Sequence, residues 1–152
     1  AKWAVTSGLF DTLQTSFNLV DQNARTNLFA DVEARDMGLI IKRPIGNAVW
    51  GAAADPKPYN HISDYTEEYF RRAGVMSSEG PLADDPNDRI RLALGFTFAH
   101  PEVDVTIVGT QRPQHMKSNL EMVSKPMGIS DATVSDLHAR WQKLSSGWQQ
   151  RG

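Results

Sequence analysis

The chain contains no cysteine among its 152 residues. That excludes disulfides, thiolate metal sites and a cysteine nucleophile, and it suits a reducing compartment, so a cytoplasmic location is expected. An excess of charge of one sign is also missing: 16 lysines and arginines stand against 18 aspartates and glutamates, a formal net charge of −2. No basic footprint for nucleic acid and no polybasic membrane patch follow from such a balance. No apolar run approaches the length needed to cross a bilayer, and no signal peptide is expected ahead of the first residues. Internal repeats, low-complexity tracts and charged tails are absent as well. The expectation is a soluble chain, most simply one domain and long enough to bury a core. It opens on Ala1-Lys2-Trp3 rather than methionine, so processing or truncation is expected to have removed the true start.

The most informative stretch runs from Val105 to Asn119. An apolar, β-branched run stops at Gly109, a short polar turn follows, and Pro113 opens a segment with Met116, Leu120 and Val123 at helical spacing. Such a strand, turn and helix presents free N–H groups and a positive dipole end, a natural seat for phosphate. Gly109, the Thr110 hydroxyl and the Arg112 guanidinium suit that use. Read in isolation, an ordinary βα loop with a polar surface is the simpler account.

Along the rest of the chain, Lys2 to Ser7 reads as the tail of a helix closed by Gly8, and Thr12 to Ser16 as a strand entering a loop at Asn18. Asp21 and Asn23 look like helix caps ahead of Leu28, Phe29 and Val32, with Gly38 ending that helix. Met37 to Ile41 has the continuous apolar pattern of a parallel strand buried on both faces. Pro44 should stop it, and Ala48 to Ser63 should form a long loop. A helix is expected from Asp64 to Ala73, a loop from Gly74 to Asp85, and a helix after Asp85-Pro86 with Ile90, Leu92, Leu94 and Phe98 on a broad apolar face. A last helix, capped near Ser130-Asp131, carries Val134, Leu137, Trp141 and Leu144. Strands alternating with helices imply α/β architecture with a parallel sheet. Three strands alone would leave two unpaired edges, so the chain reads as a piece of a larger sheet or barrel.

With these segments in place, the chain resembles the C-terminal half of an aldo-keto reductase, a (β/α)₈ barrel. The resemblance covers essentially all of residues 1–152 as a single incomplete domain and matches the three strands to the sixth, seventh and eighth of the barrel. It implies carbonyl reduction by hydride transfer from a nicotinamide cofactor, NADP with NAD as the alternative. Leu13-Gln14-Thr15-Ser16-Phe17-Asn18 is similar to the sixth-strand element, giving Gln14 to the nicotinamide carboxamide. Arg43-Pro44-Ile45-Gly46-Asn47 is similar to the loop that wraps the pyrophosphate, giving that contact to Arg43, Pro44, Ile45 and Asn47. Gly109-Thr110-Gln111 and the helix after them resemble the adenosine-phosphate site, with His115, Ser118 and Asn119 toward the adenine.

The departures are specific. Lys42 stands where the family often stacks an aromatic on the nicotinamide, Ser118 where a glutamate frequently sits, and His115 where arginine or glutamine is common. A histidine holds phosphate only when protonated. Arg112 is either a further phosphate contact or a solvated turn residue. The family's catalytic tyrosine, lysine, aspartate and histidine belong to the first four strands, so no catalytic residue is expected here. Tyr59, Tyr65, Tyr69, His61, His100 and His138 read as structural or surface residues. No metal constellation is expected. The implied partners are the nicotinamide cofactor, a small carbonyl substrate in the complete enzyme, and either the missing N-terminal half or a second copy to cover the sheet edges. A non-enzymatic half-barrel binding or assembly module is the alternative, and a phosphate-binding half-barrel unrelated to nicotinamide a weaker third.

Overall fold

The computed structural model describes residues 1–51, 64–84 and 87–151. Three strands, β1 (Thr12–Ser16), β2 (Gly38–Lys42) and β3 (Val105–Ile107), form one parallel sheet in the order β1-β2-β3. Pairing runs from Thr12 opposite Gly38 to Ser16 opposite Lys42, and from Ile40 opposite Val105 to Lys42 opposite Ile107. The helices are α1 (Lys2–Ser7), α2 (Ala30–Glu33, entered through a π-helical turn at Arg25–Phe29), α3 (Asp64–Ser77), α4 (Arg89–Phe98), α5 (Pro113–Val123) and α6 (Asp131–Leu144). This is the expected α/β order of a partial barrel.

Four local expectations need correction. Gly38 does not end a helix but begins β2: the chain turns at Asp36 (φ 52°), and a Cβ at position 38 would lie 3.2 Å from Thr12 Cγ2 across the ladder. β2 therefore lies one residue further on than expected, and only one of its faces is deeply buried. Leu39 and Ile41 are fully covered by the helices, while Gly38, Ile40 and Lys42 are half-covered on the open face. Asp21 and Asn23 do not cap the following helix. Asp21 is fully buried, and the Asn23 amide donates to the Trp148 carbonyl. Helix α3 runs through Gly74 to Ser77, because burial of Tyr69, Ala73 and Met76 outweighs the roughly 1 kcal/mol that a helical glycine costs. The helix expected after Asp85-Pro86 is α4, and Asp88 caps it, its carboxylate accepting from the N–H groups of Ile90 and Arg91. Asp85, Pro86 and most of the expected Ala48 to Ser63 loop lie outside the described residues.

The core fills the helix side of the sheet. Phe17, at the end of β1, meets the Phe29 ring edge-on at 5.0 Å and stacks on Phe96 at 5.4 Å, with Leu39, Ile41, Leu92 and Leu137 fully buried around them. Each such side chain contributes about 1.5–3 kcal/mol by leaving water. The C-terminal tail crosses the end of β1. Gln150 Nε2 donates to Thr15 Oγ1 and to the Ser16 carbonyl, and the Arg151 N–H donates to Asp21 Oδ2.

At the other edge nothing comparable lies among the described residues. Val105 and Ile107 of β3 are each 49% exposed, and Leu120 of α5 is 61% exposed. With Leu94, Phe98 and Met116 they line an open apolar groove of about 510 Å³.

Candidate functional site

At the C-terminal ends of β2 and β3 the first turns of three helices and a short 3₁₀ turn meet around a cleft of about 620 Å³. The size suits a small-molecule ligand. Tyr65 and Thr66 come from the start of α3, Asp88 and Ile90 from the start of α4, and Gly109 and Thr110 from the turn before α5. Ile45, Asn47 and Ala48 supply the 3₁₀ wall, and His115, Ser118, Asn119 and Met122 form a stripe along α5. Helix starts carry unsatisfied N–H groups and positive dipole ends, so their convergence favours an anionic ligand.

The backbone of the 3₁₀ wall is held in an unusual conformation. Arg43 (φ 59°), Gly46 (φ 49°), Asn47 (φ 59°) and Ala48 (φ 55°) all lie in the left-handed region, three of them with side chains. Each non-glycine residue there costs about 1–2 kcal/mol, and such strain persists where the surroundings over-determine it. Asn18 is one determinant: its Nδ2 donates to the Arg43 carbonyl at 3.0 Å and its Oδ1 accepts from the Val20 N–H at 3.0 Å. A Cβ at position 46 would lie 3.3 Å from that amide, which together with the positive φ favours glycine there. Asn47 Nδ2 in turn donates to Thr66 Oγ1 at 2.8 Å, tying the turn to α3.

Of the residues expected at a cofactor site, Ile45, Asn47, Gly109, Thr110, His115, Ser118 and Asn119 are brought together around this one cleft. Gly109 leaves the space of a Cβ open, and Thr110 Oγ1 accepts from the Arg112 N–H at 3.2 Å, closing the turn. The remaining four lie elsewhere. Pro44 is buried beneath the turn, and Gln111 is exposed beside it. Arg43 donates from Nη1 to the Arg151 carbonyl at 2.9 Å and places its guanidinium 3.8 Å from the centre of the Tyr65 ring. Gln14 is exposed on the open face of β1, in a separate recess with Ser16, Lys42 and Gln150.

Sequence reasoning missed Thr66, Asp88 and Met122. Met122 was accessible, standing seven residues after His115 on the same helical face. Tyr65, read as structural or surface, lines the cleft. Of the other described residues in that group, Tyr69 and His100 are buried and His138 is half-buried. Tyr69 is fully buried with its hydroxyl donating to Asp21 Oδ2 at 3.0 Å; burial and the Asp21 charge push its pKa up to about 12. Burial pushes Asp21 up as well, opposed by the Arg151 N–H, Tyr69 and Arg72. His100 and His138 contact each other beside Phe96. Tyr59 and His61 lie outside the described residues. Among the described residues no group of three acidic or histidine side chains is placed to hold a metal ion. No helix among them is long and apolar enough to cross a membrane.

A parallel sheet wrapped on one face by helices, with a cleft where the helices start, is a segment of an α/β barrel. In fold the chain is similar to part of the barrel of an aldo-keto reductase. The holo form of aldo-keto reductase AKR11C1 from Bacillus halodurans matches 91% of this chain with a TM-score of 0.66 at 14% identity. Its apo form matches 86% with a TM-score of 0.62, also at 14% identity. The chain spans 45% and 43% of those two chains, less than half of the reductase. No protein-family model matches the sequence, and no curated protein is similar to it.

Proposed function

We propose that the chain is the cofactor-binding C-terminal half of an NAD(P)H-dependent aldo-keto reductase of the cytoplasm, a single incomplete domain whose catalytic residues lie outside residues 1–152. The observation that carries this reading is the gathering of seven expected cofactor residues, with three helix starts, around one cleft. The cleft's fit to a dinucleotide rests on its volume, on the open space over Gly109 and on the N–H groups of the helix starts. In this assignment Gly109 and Thr110 hold phosphate oxygens, while His115, Ser118 and Asn119 face the adenine. Ile45 and Asn47 guide the pyrophosphate, and Gln14 and Lys42 lie toward the nicotinamide end. Resemblance implies NADP, with NAD as the alternative. When bound, the cofactor supplies a hydride to the carbonyl carbon of a small substrate. This chain's part is to bind and orient. In this reading the proton donor comes from the N-terminal half; the Tyr69 hydroxyl is committed to Asp21 inside the core.

The test has two arms. The purified protein should quench reduced nicotinamide dinucleotide fluorescence on titration, and adding the N-terminal half should produce carbonyl-dependent oxidation of the cofactor. Binding without oxidation in the combined sample would favour the second reading, a non-enzymatic half-barrel module. That reading is supported by the apolar groove at the β3 edge, a surface suited to a second chain.

A further inference from the structure

We infer that the cleft selects the dinucleotide without a 2′-phosphate, NAD(H) over NADP(H), through the carboxylate of Asp88. This rests on the dinucleotide reading above and concerns only its adenosine end. A ribose 2′-phosphate adds between one and two negative charges and is normally met by the fork of an arginine or by a lysine. Among the described residues that line the cleft there is neither; the acidic side chain there is that of Asp88.

The described cations on the bounding elements are not part of the lining. Arg43 donates to the Arg151 carbonyl and lies over Tyr65. Arg89 packs against Gly51, where a Cβ would come within 3.2 Å of its Nε. Lys117 pairs with Glu121 at 3.9 Å, away from the stripe that His115, Ser118 and Asn119 present to the cleft. Arg112 caps α5 through its backbone, and its side chain is not part of the lining.

Asp88 is fixed where it stands. Its Oδ1 accepts from the Ile90 N–H at 2.9 Å and the Arg91 N–H at 3.0 Å, which orients the carboxylate at the start of α4 and stabilises its charge there. Capping uses Oδ1, so Oδ2 can accept from a ribose hydroxyl. The same charge repels a phosphate ester in that position, at a separation shorter than the Debye length of about 8 Å at physiological salt. A carboxylate thus rewards the free 2′-hydroxyl and penalises its phosphate.

The test is calorimetric titration of the protein with NADH and with NADPH, separately, at one salt concentration. NADH is expected to bind at least tenfold more tightly. Asp88→Asn keeps a capping oxygen but removes the charge, and should narrow the gap several-fold. His115→Arg, at an exposed position, should strengthen NADPH binding. Equal or tighter binding of NADPH by the unaltered protein overturns the inference and leaves the dinucleotide reading standing. An unchanged gap in Asp88→Asn overturns the role of Asp88. Failure of both dinucleotides to bind overturns the inference together with the reading beneath it.

Discussion

His100 and His138 meet Nε2 to Nε2 at 3.1 Å, and the other nitrogen of each ring is already committed as a donor. His100 Nδ1–H donates to the Phe96 carbonyl at 2.8 Å. His138 Nδ1–H donates to Gln22 Oε1 at 2.9 Å, the Gln22 amide group being turned toward the Leu19 and Leu137 carbonyls. Two neutral rings hold two N–H protons between them, and three contacts require three. Neutral, the pair is one proton short; charged, it is cationic among Phe17, Phe29 and Phe96.

Burial decides the direction. It pushes His100 below the ordinary histidine range, with Arg25 adding to the shift and Glu102 opposing it. It pushes His138 down to about 4, helped by the charges of Arg25 and His100. An unfolded histidine titrates near pH 6.5, so between there and about pH 4 the unfolded chain binds more protons than the folded one. The stabilisation is complete above pH 6.5 and is lost as the pH falls through that window. Urea midpoints should therefore drop between pH 7 and 4.5, before carboxylates such as Glu68 (about 2) contribute. His138→Gln should flatten the profile. A midpoint that stays level over that range in the unaltered protein would remove the argument.

Arg72 is the most deeply buried cation among the described residues. It is fully buried, donates to the Val20 and Gln149 carbonyls and to Glu68 Oε1, and stands 3.5 Å from Asp21 Oδ1. Arg72→Met should cost about 3–5 kcal/mol, because Asp21 would be left buried without its cation and the tail would lose an anchor. Adding Asp21→Asn to that variant should recover part of the loss. A double variant no more stable than Arg72→Met alone would show that the Asp21 charge is not what the arginine offsets.

How much of this was legible in the sequence depends on how local the cause is. Thr12 to Ser16, the helix opened by Pro113 and the cap at Ser130 lie where expected, since strand alternation, proline at the first helical turn and a capping hydroxyl act within a few residues. Asp21 shows the opposite case. It has the composition of a cap, yet its partners are Tyr69 and Arg151, which no local pattern exposes. The cleft divides in the same way. The α5 stripe follows from helical spacing, but Thr66 and Asp88 enter it because two other helices happen to start there. The position of Arg43 was equally hidden: proline after it marks a turn, whereas its engagement with Arg151 is a tertiary event.

Ala48 offers a direct measure of the strain beneath the cleft. It adopts φ 55° with its N–H donating to the Ile45 carbonyl at 2.7 Å, so the turn holds it there despite the steric cost of its Cβ. Ala48→Gly should relieve about 1 kcal/mol or more of that cost, offset by roughly 0.5–1 kcal/mol from the freer unfolded chain. A small net gain in unfolding free energy is expected. A loss greater than 1 kcal/mol would mean that the left-handed conformation is not the controlling feature at this position.

Leu120 tests what the apolar groove is for. It is among the most exposed large apolar side chains of the described residues and faces the same groove as Ile107 and Val105, on a helix with no buried residue of its own. A patch of this kind suits an interface with a second chain, as the proposed function requires. Leu120→Glu should change the stability of the chain alone by no more than about 0.5 kcal/mol, since the site is open to water. The same substitution should lower self-association measured by sedimentation and abolish assembly with the N-terminal half, where a carboxylate would be buried without a partner. Assembly of Leu120→Glu with that half at the affinity of the unaltered chain would show that the barrel closes elsewhere, and would leave the groove free for a different protein.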